Sequence, residues 1–203
     1  MNHKTLAHPL SGFPTSTIYE AAGKLGDMEP TIRPIVQGAR IAGPAFSVKC
    51  FVGDNRPVLR AIDLAQPGDV LVIDVGGTER ATAWGGTSSL AAQLRGLGGC
   101  VTNGAVRDLN ELTRIGFPVF AMGVSVRGTV KFHPGWIGIP VSVGGVAVRP
   151  SDWVFGDADG IVVVPFERAG EVFEKATAQR LKEEEIEQRL RAGESVTHIF
   201  GIS

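Results

Sequence analysis

At 203 residues, the chain has room for one domain with a sizeable core, since single domains commonly run to roughly 100–200 residues. Hydrophobic residues make up 43% of it and charged residues 20%, with a mean hydropathy of +0.12. That excludes a disordered chain. Twenty basic against twenty-one acidic side chains leave a formal charge of −1, which excludes the electrostatic footprint of a nucleic-acid or anionic-membrane binder.

The first predicted element is a helix from Thr15 to Leu25, with Ile18, Ala21, Ala22 and Leu25 at helical spacing behind a Thr15 or Ser16 cap. From Ala45 the period becomes two. Phe46, Val48, Cys50 and Val52 are expected on one face of a strand, Ser47 and Lys49 on the other. A short helix from Val58 to Ala65 ends at Pro67 and Gly68. Val70 to Val75 is a continuous apolar run, as in a strand covered on both faces.

A helix follows from Thr87 to Leu97, with Leu90, Ala91, Leu94 and Leu97 on one stripe. Cys100 to Thr102 reads as a brief strand, Leu109 to Arg114 as a short helix and Val119 to Val124 as a strand. The chain is then strand-rich, at Ile139 to Val143, Val146 to Val148 and Ile161 to Val164. Phe166 to Ala192 reads as one long helix whose apolar positions thin out, so its end projects from the core, toward a neighbouring subunit. The order predicts one layered α/β domain over 1–203.

Glycine is over-represented, at 27 residues against a usual share of about 7%. With no repeat behind it, it signals tight turns and close backbone approaches. Cys50 and Cys100 sit in apolar stretches without a CxxC pair and read as reduced thiols of a cytoplasmic protein. Met1 to Thr17 lacks the apolar core of a secretory signal. No apolar run approaches the ~20 residues of a membrane helix. His3, His8, His133 and His198 show no metal-ligand spacing, and phosphate-loop, dinucleotide and nucleophile-elbow motifs are absent.

Two stretches carry chemistry. Gly85 and Gly86 enter a helix, which lets an anion approach the Thr87 and Ser88 amides; an ordinary capped glycine turn has the same pattern. Arg107 and Asp108 follow a buried strand. An arginine fork suits a carboxylate, and an aspartate suits a hydrated divalent cation. Asp108 and Glu111 also have the spacing of a capping box. Lys131 could form a Schiff base, supply charge to an anionic substrate, or simply lie on the surface.

At these residues the sequence resembles the class II pyruvate aldolases acting on 4-hydroxy-4-methyl-2-oxoglutarate and 4-carboxy-4-hydroxy-2-oxoadipate. These share a fold with the regulator of ribonuclease activity A. The family motif is a glycine, twenty residues, Arg-Asp, two residues and an acid, met here by Gly86, Arg107, Asp108 and Glu111. Further matches lie at Gly43 to Ala45, Gly53 to Asn55, Pro67 to Asp69, Gly123 to Ser125, Arg127 to Lys131 and Asp157 to Gly160.

The resemblance implies an α-β-β-α sandwich related to swivelling β/β/α domains, assembled as a homotrimer or a hexamer with sites between subunits. It implies retro-aldol cleavage to pyruvate plus a keto acid, with oxaloacetate decarboxylation as a side activity and an association with aromatic-compound catabolism. Asp108 would hold Mg²⁺ or Mn²⁺ and Arg107 would orient the pyruvyl part. Gly86 and the Thr87 and Ser88 amides would hold its carboxylate, although most relatives carry leucines or similar residues at Thr87 and Ser88. Thr129 and Lys131 would meet the distal carboxylate. A glutamate on a neighbour's terminal helix, Glu183 or else Glu184 or Glu185, would complete the metal surroundings. No organic cofactor is implied. A non-catalytic, ribonuclease-regulator-like binding module is the alternative.

Overall fold

The apolar run beginning at Val70 is the centre of the structure, a computed structural model that describes residues 8–202. His3 and the start of the Met1 to Thr17 segment lie outside these residues. The run opens a strand far longer than predicted, β3 (Val70–Trp84). Strands β2 (Ile41–Lys49) and β4 (Gly99–Val106) flank it, both parallel to it. Burial on both faces explains why six consecutive positions, Val70 to Val75, are all buried.

Parallel neighbours need crossovers, and helices supply them. These are α2 (Arg56–Leu64) between β2 and β3, and α3 (Gly86–Leu94) between β3 and β4. Next, α4 (Leu109–Ile115) leads from β4 to β5 (Val119–Ala121), which is parallel to β4 and bordered by the antiparallel β1 (Arg33–Pro34). The short β6 (Gly123–Val124) continues beside β4, and β7 (Trp136–Ile137) adds to β2.

On its other flank β2 pairs with the hairpin of β10 (Trp153–Asp157) and β11 (Gly160–Val164). A separate hairpin joins β8 (Val141–Val143) to β9 (Val146–Val148). The main sheet curls nearly closed, giving the mixed α/β domain expected.

The larger core gathers around β3 and its helices. The smaller core packs Leu10 and Ile18 against Phe155, Val164 and Val172. It joins α1 (Thr15–Ala21) and α5 (Ala169–Arg191) to the hairpin layer. Most of the second half of α5 is exposed, and the short α6 (Val196–Ile199) follows it. Among the described residues no helix is long and apolar enough to cross a membrane. Cys50 and Cys100 are free and buried, and burial pushes the Cys50 thiol up to about 12.

Several local expectations give way to packing. The first helix stops at Ala21, and neither Thr15 nor Ser16 caps it: Pro14 holds the cap position. The Thr15 amide and hydroxyl donate to Asp157 at 2.9 and 2.6 Å. The period-two alternation fails in β2, where Ser47 is fully buried and donates to the Ile139 carbonyl at 2.6 Å, while Val52 lies beyond the strand and is exposed. Leu90 and Leu94 face solvent. The inward side of α3 is Ser88, Ser89 and Ala92, small residues that let it sit close against the sheet.

Candidate functional site

The three parallel strands β2, β3 and β4 deliver their carboxyl ends to one place, the end at which parallel strands commonly build their ligand sites. A cavity of about 170 Å³ opens there, lined by Asn55 after β2, Thr82, Trp84 and Gly85 at the end of β3, and Arg107 and Asp108 after β4. Thr87 and Ser88 of α3, Leu59 of α2, and Thr129 and Lys131 from the segment after β6 complete it. Predicted residues from three separate stretches, Thr87 and Ser88, Arg107 and Asp108, and Thr129 and Lys131, thus share one cleft.

Gly85 and Gly86 make the approach possible. A Cβ on Gly85 would lie 2.7 Å from Asp108 Oδ2, and one on Gly86 would lie 2.7 Å from Glu111 Cγ. No side chain caps α3, and its first intrahelical bond runs from the Ser89 amide to the Gly85 carbonyl at 3.0 Å. The Thr87 and Ser88 amides precede that bond, so they are the first-turn donors on the cleft side, at the positive end of the helix. The Gly86 amide is already engaged, donating to Asp108 Oδ2 at 3.2 Å.

Asp108 departs from the capping box. It occupies the cap position of α4 in a left-handed conformation, φ 63° and ψ 42°, and its side chain makes no cap hydrogen bond. Its carboxylate turns to the cleft, with Arg107 Nε 3.5 Å from Oδ2. The other half of the box is diverted as well. Glu111 accepts from Arg114 Nε at 3.0 Å and Nη2 at 2.5 Å, and that guanidinium draws its carboxyl below the ordinary value. A non-glycine residue with positive φ costs stability and persists where surrounding structure holds it.

The segment carrying Thr129 and Lys131 is pinned by Asp54, whose side chain is 1% exposed. Its carboxylate accepts from the amides of Arg56 (2.9 Å), Phe132 (2.8 Å) and His133 (2.7 Å), and lies 3.1 Å from His133 Nδ1. Burial works against the charge, but these donors outweigh it and hold the carboxyl down at about 2. Backbone bonds from Val130 N to Gly53 O and from Asn55 N to Val130 O, at 2.9 and 3.1 Å, close the clamp. At the cavity floor the Trp84 indole N–H donates to Ser89 Oγ at 2.7 Å, and the ring stacks on Phe117.

Glu183 does not line this cavity. It lies on α5 and accepts a hydrogen bond from Gln179 at 3.0 Å. Among the described residues no three His, Cys, Asp or Glu side chains gather as a metal-ligating cluster. The chain's own donor to a cation in the cleft is the single carboxylate of Asp108, which suits a hard ion that keeps most of its waters. Asn55, Thr82, Leu59 and Trp84 also line the cleft, beyond the site residues expected from the sequence. The Gly53 to Asn55 match was the signal available for Asn55; the rest carry no local signature.

A family model described as RraA-like: Aldolase/RraA matches residues 15–163. A protein of Halalkalibacterium halodurans named "Putative 4-hydroxy-4-methyl-2-oxoglutarate aldolase" is 37% identical over 178 residues, 87% of this chain and 84% of the relative. Among solved structures, Streptomyces coelicolor RraAS2, described as an unusual member of the RNase ES inhibitor RraA protein family, superposes with a TM-score of 0.82. It is 25% identical, and 93% of this chain and 98% of that one are covered. An uncharacterised protein of Pseudomonas syringae pv. tomato shares the fold at a TM-score of 0.84, with 24% identity over 97% and 96% of the two chains. The matched span holds the whole parallel sheet and all the cleft residues, and by that span and the 37% relative this chain belongs to the Aldolase/RraA family.

Proposed function

We propose that the chain is a divalent-cation-dependent lyase that cleaves a 4-hydroxy-2-oxo di- or tricarboxylic acid to pyruvate and a second keto acid. 4-Hydroxy-4-methyl-2-oxoglutarate and 4-carboxy-4-hydroxy-2-oxoadipate are the candidates, and oxaloacetate decarboxylation accompanies the cleavage. The observation that carries this reading is the meeting of the Thr87 and Ser88 amides, Arg107, Asp108 and Lys131 around one small cavity. Two anion-binding ends flank a carboxylate, which suits a short substrate charged at both ends.

In this reading the α3 amides bind the carboxylate of the pyruvyl part, and Lys131 with Thr129 binds the distal carboxylate. Mg²⁺ or Mn²⁺ near Asp108 would supply Lewis-acid polarisation of the 2-keto oxygen. Asp108 orients the water that takes the C4 hydroxyl proton. The C3–C4 bond then breaks, its electron pair passes to the pyruvyl fragment as an enolate that Arg107 stabilises, and proton return at C3 yields pyruvate. Oxaloacetate would reach the same enolate by losing CO₂.

We also place a second copy of the chain beside the cleft, in a trimer or hexamer, with Glu183, Glu184 or Glu185 on its α5 reaching toward Asp108. The largely exposed second half of α5, and Val124 and Val126 exposed near the cleft, support that placement.

The test is pyruvate release, coupled to lactate dehydrogenase, from these two substrates and oxaloacetate, with Mg²⁺ or with EDTA. Cation-dependent release that Asp108→Asn abolishes supports the reading. Activity in EDTA, with borohydride trapping pyruvate on Lys131, would replace it with a Schiff-base mechanism. No release from any substrate would favour a binding module.

A further inference from the structure

Two buried polar atoms of the cleft have no hydrogen-bond partner among the described residues: Thr82 Oγ1 and Asn55 Oδ1. Both residues line the cavity, at 2% and 9% exposure. An unpaired buried polar group is costly, so a folded protein keeps one where something else satisfies it.

Local structure explains why each atom is left over. Thr82 pairs with Ala105 at a point where the β3–β4 register slips on both sides. Such irregularities release a residue from the regular ladder and re-aim its side chain. Its neighbours Ala81 and Ala83 are in the core with no exposure, and alternation along the strand turns Thr82 the other way, to the side of Trp84 and the cavity. Asn55 holds the cap position of α2, where an asparagine ordinarily accepts an amide of the first turn. Here Asp54 takes the Arg56 amide instead, and the Asn55 side chain makes no cap bond.

An amide oxygen can only accept a hydrogen bond, whereas a threonine hydroxyl can donate or accept. A carboxylate or keto oxygen offers no proton to Asn55 Oδ1. A hydroxyl can serve both atoms in the bound substrate, donating to Asn55 and accepting from Thr82 before its proton passes to the water held by Asp108.

We propose that Thr82, together with Asn55, reads a hydroxyl group of the substrate on the cleft floor and is a specificity-determining residue for hydroxylated over non-hydroxylated 2-oxo acids. This rests on the lyase reading and adds to it the substrate feature that the floor selects.

The experiment measures kcat/KM of the full-length chain for 4-hydroxy-4-methyl-2-oxoglutarate and for oxaloacetate, which has no such hydroxyl, in wild type, Thr82→Val and Asn55→Ala. Loss of a hydrogen bond made to the substrate predicts a fall of roughly tenfold in the ratio of the two constants in each variant. The unfolding midpoint of Thr82→Val is expected to hold or rise, because an isosteric apolar group removes an unpaired polar one. An unchanged ratio in Thr82→Val, or a lowered midpoint that shows the hydroxyl serving the fold, overturns the proposal while leaving the lyase reading intact. A wild-type chain that releases pyruvate from neither substrate overturns both.

Discussion

Asp108 Oδ2 accepts a hydrogen bond from the Gly86 amide at 3.2 Å, across 22 residues and the ends of two neighbouring strands. That bond turns the carboxylate away from its own helix and into the cleft. Asp108 adopts φ 63° to make it, while Glu111, the other half of the capping box, goes to Arg114. A feature that looks like a helix start in one dimension is a ligand-facing carboxylate in three.

Strain and function should therefore separate at Asp108. Asp108→Gly relieves a left-handed conformation that costs other residues roughly 1–2 kcal/mol, and its melting temperature should stay equal or rise despite the lost bond to Gly86. Pyruvate release should be lost in the same variant. A marked fall in melting temperature would show that the carboxylate mainly serves the fold.

Gly85→Ala tests the tight approach from the opposite side. The Gly85 backbone is extended, φ −165°, so alanine brings no backbone strain, yet its Cβ would press on Asp108 Oδ2 at 2.7 Å and on Arg107 Cγ at 3.2 Å. Thermal unfolding should change little. The kcat/KM for pyruvate release should fall about a hundredfold, the scale for a small misplacement of reacting groups.

Asp54 predicts a pH dependence. Its carboxyl is held at about 2 in the fold against an ordinary 3.8. A carboxyl with a depressed folded-state value stabilises the fold fully above its ordinary value, and the contribution is lost as pH falls through the folded value. Part of the acid loss of stability should therefore lie between about pH 4 and pH 2. Asp54→Asn should flatten that part of a pH–stability curve. It should also raise KM more than it lowers kcat, because Lys131 and Thr129 lose their anchor while Asp108 keeps its own.

Ser89→Ala leaves the Trp84 indole N–H without its acceptor in a fully buried setting. An unpaired buried donor costs roughly 1–3 kcal/mol, to be read as a lower denaturant midpoint with an unchanged slope. Indole fluorescence should change with it.

The local sequence, by itself, determined much of this protein. The apolar run at Val70 marked a strand buried on both faces, and the breaker at Pro67 and Gly68 marked the turn before it. The thinning apolar stripe marked α5 as a helix that leaves the core, and it spans Ala169 to Arg191 within the predicted bounds. The spacing from Gly86 to Glu111 pointed to the family to which the chain belongs. These features are legible because periodicity, breakers and motif spacing are short-range properties of the chain.

Tertiary structure decided what those residues face. Ser47 is buried and Val52 exposed against the alternation, because packing partners rather than strand period set burial in a sheet covered on both sides. Thr82 was hidden for a related reason: it lies beyond the strand expected at Val70 to Val75, on the extension of β3 where the register with β4 slips. Asp54 meets Phe132 across 78 residues, Asp108 meets Gly86 across 22, and no local propensity encodes either pairing. Parallel strands bring distant segments together at their carboxyl ends, so a cleft made of such ends exists only once the sheet is assembled.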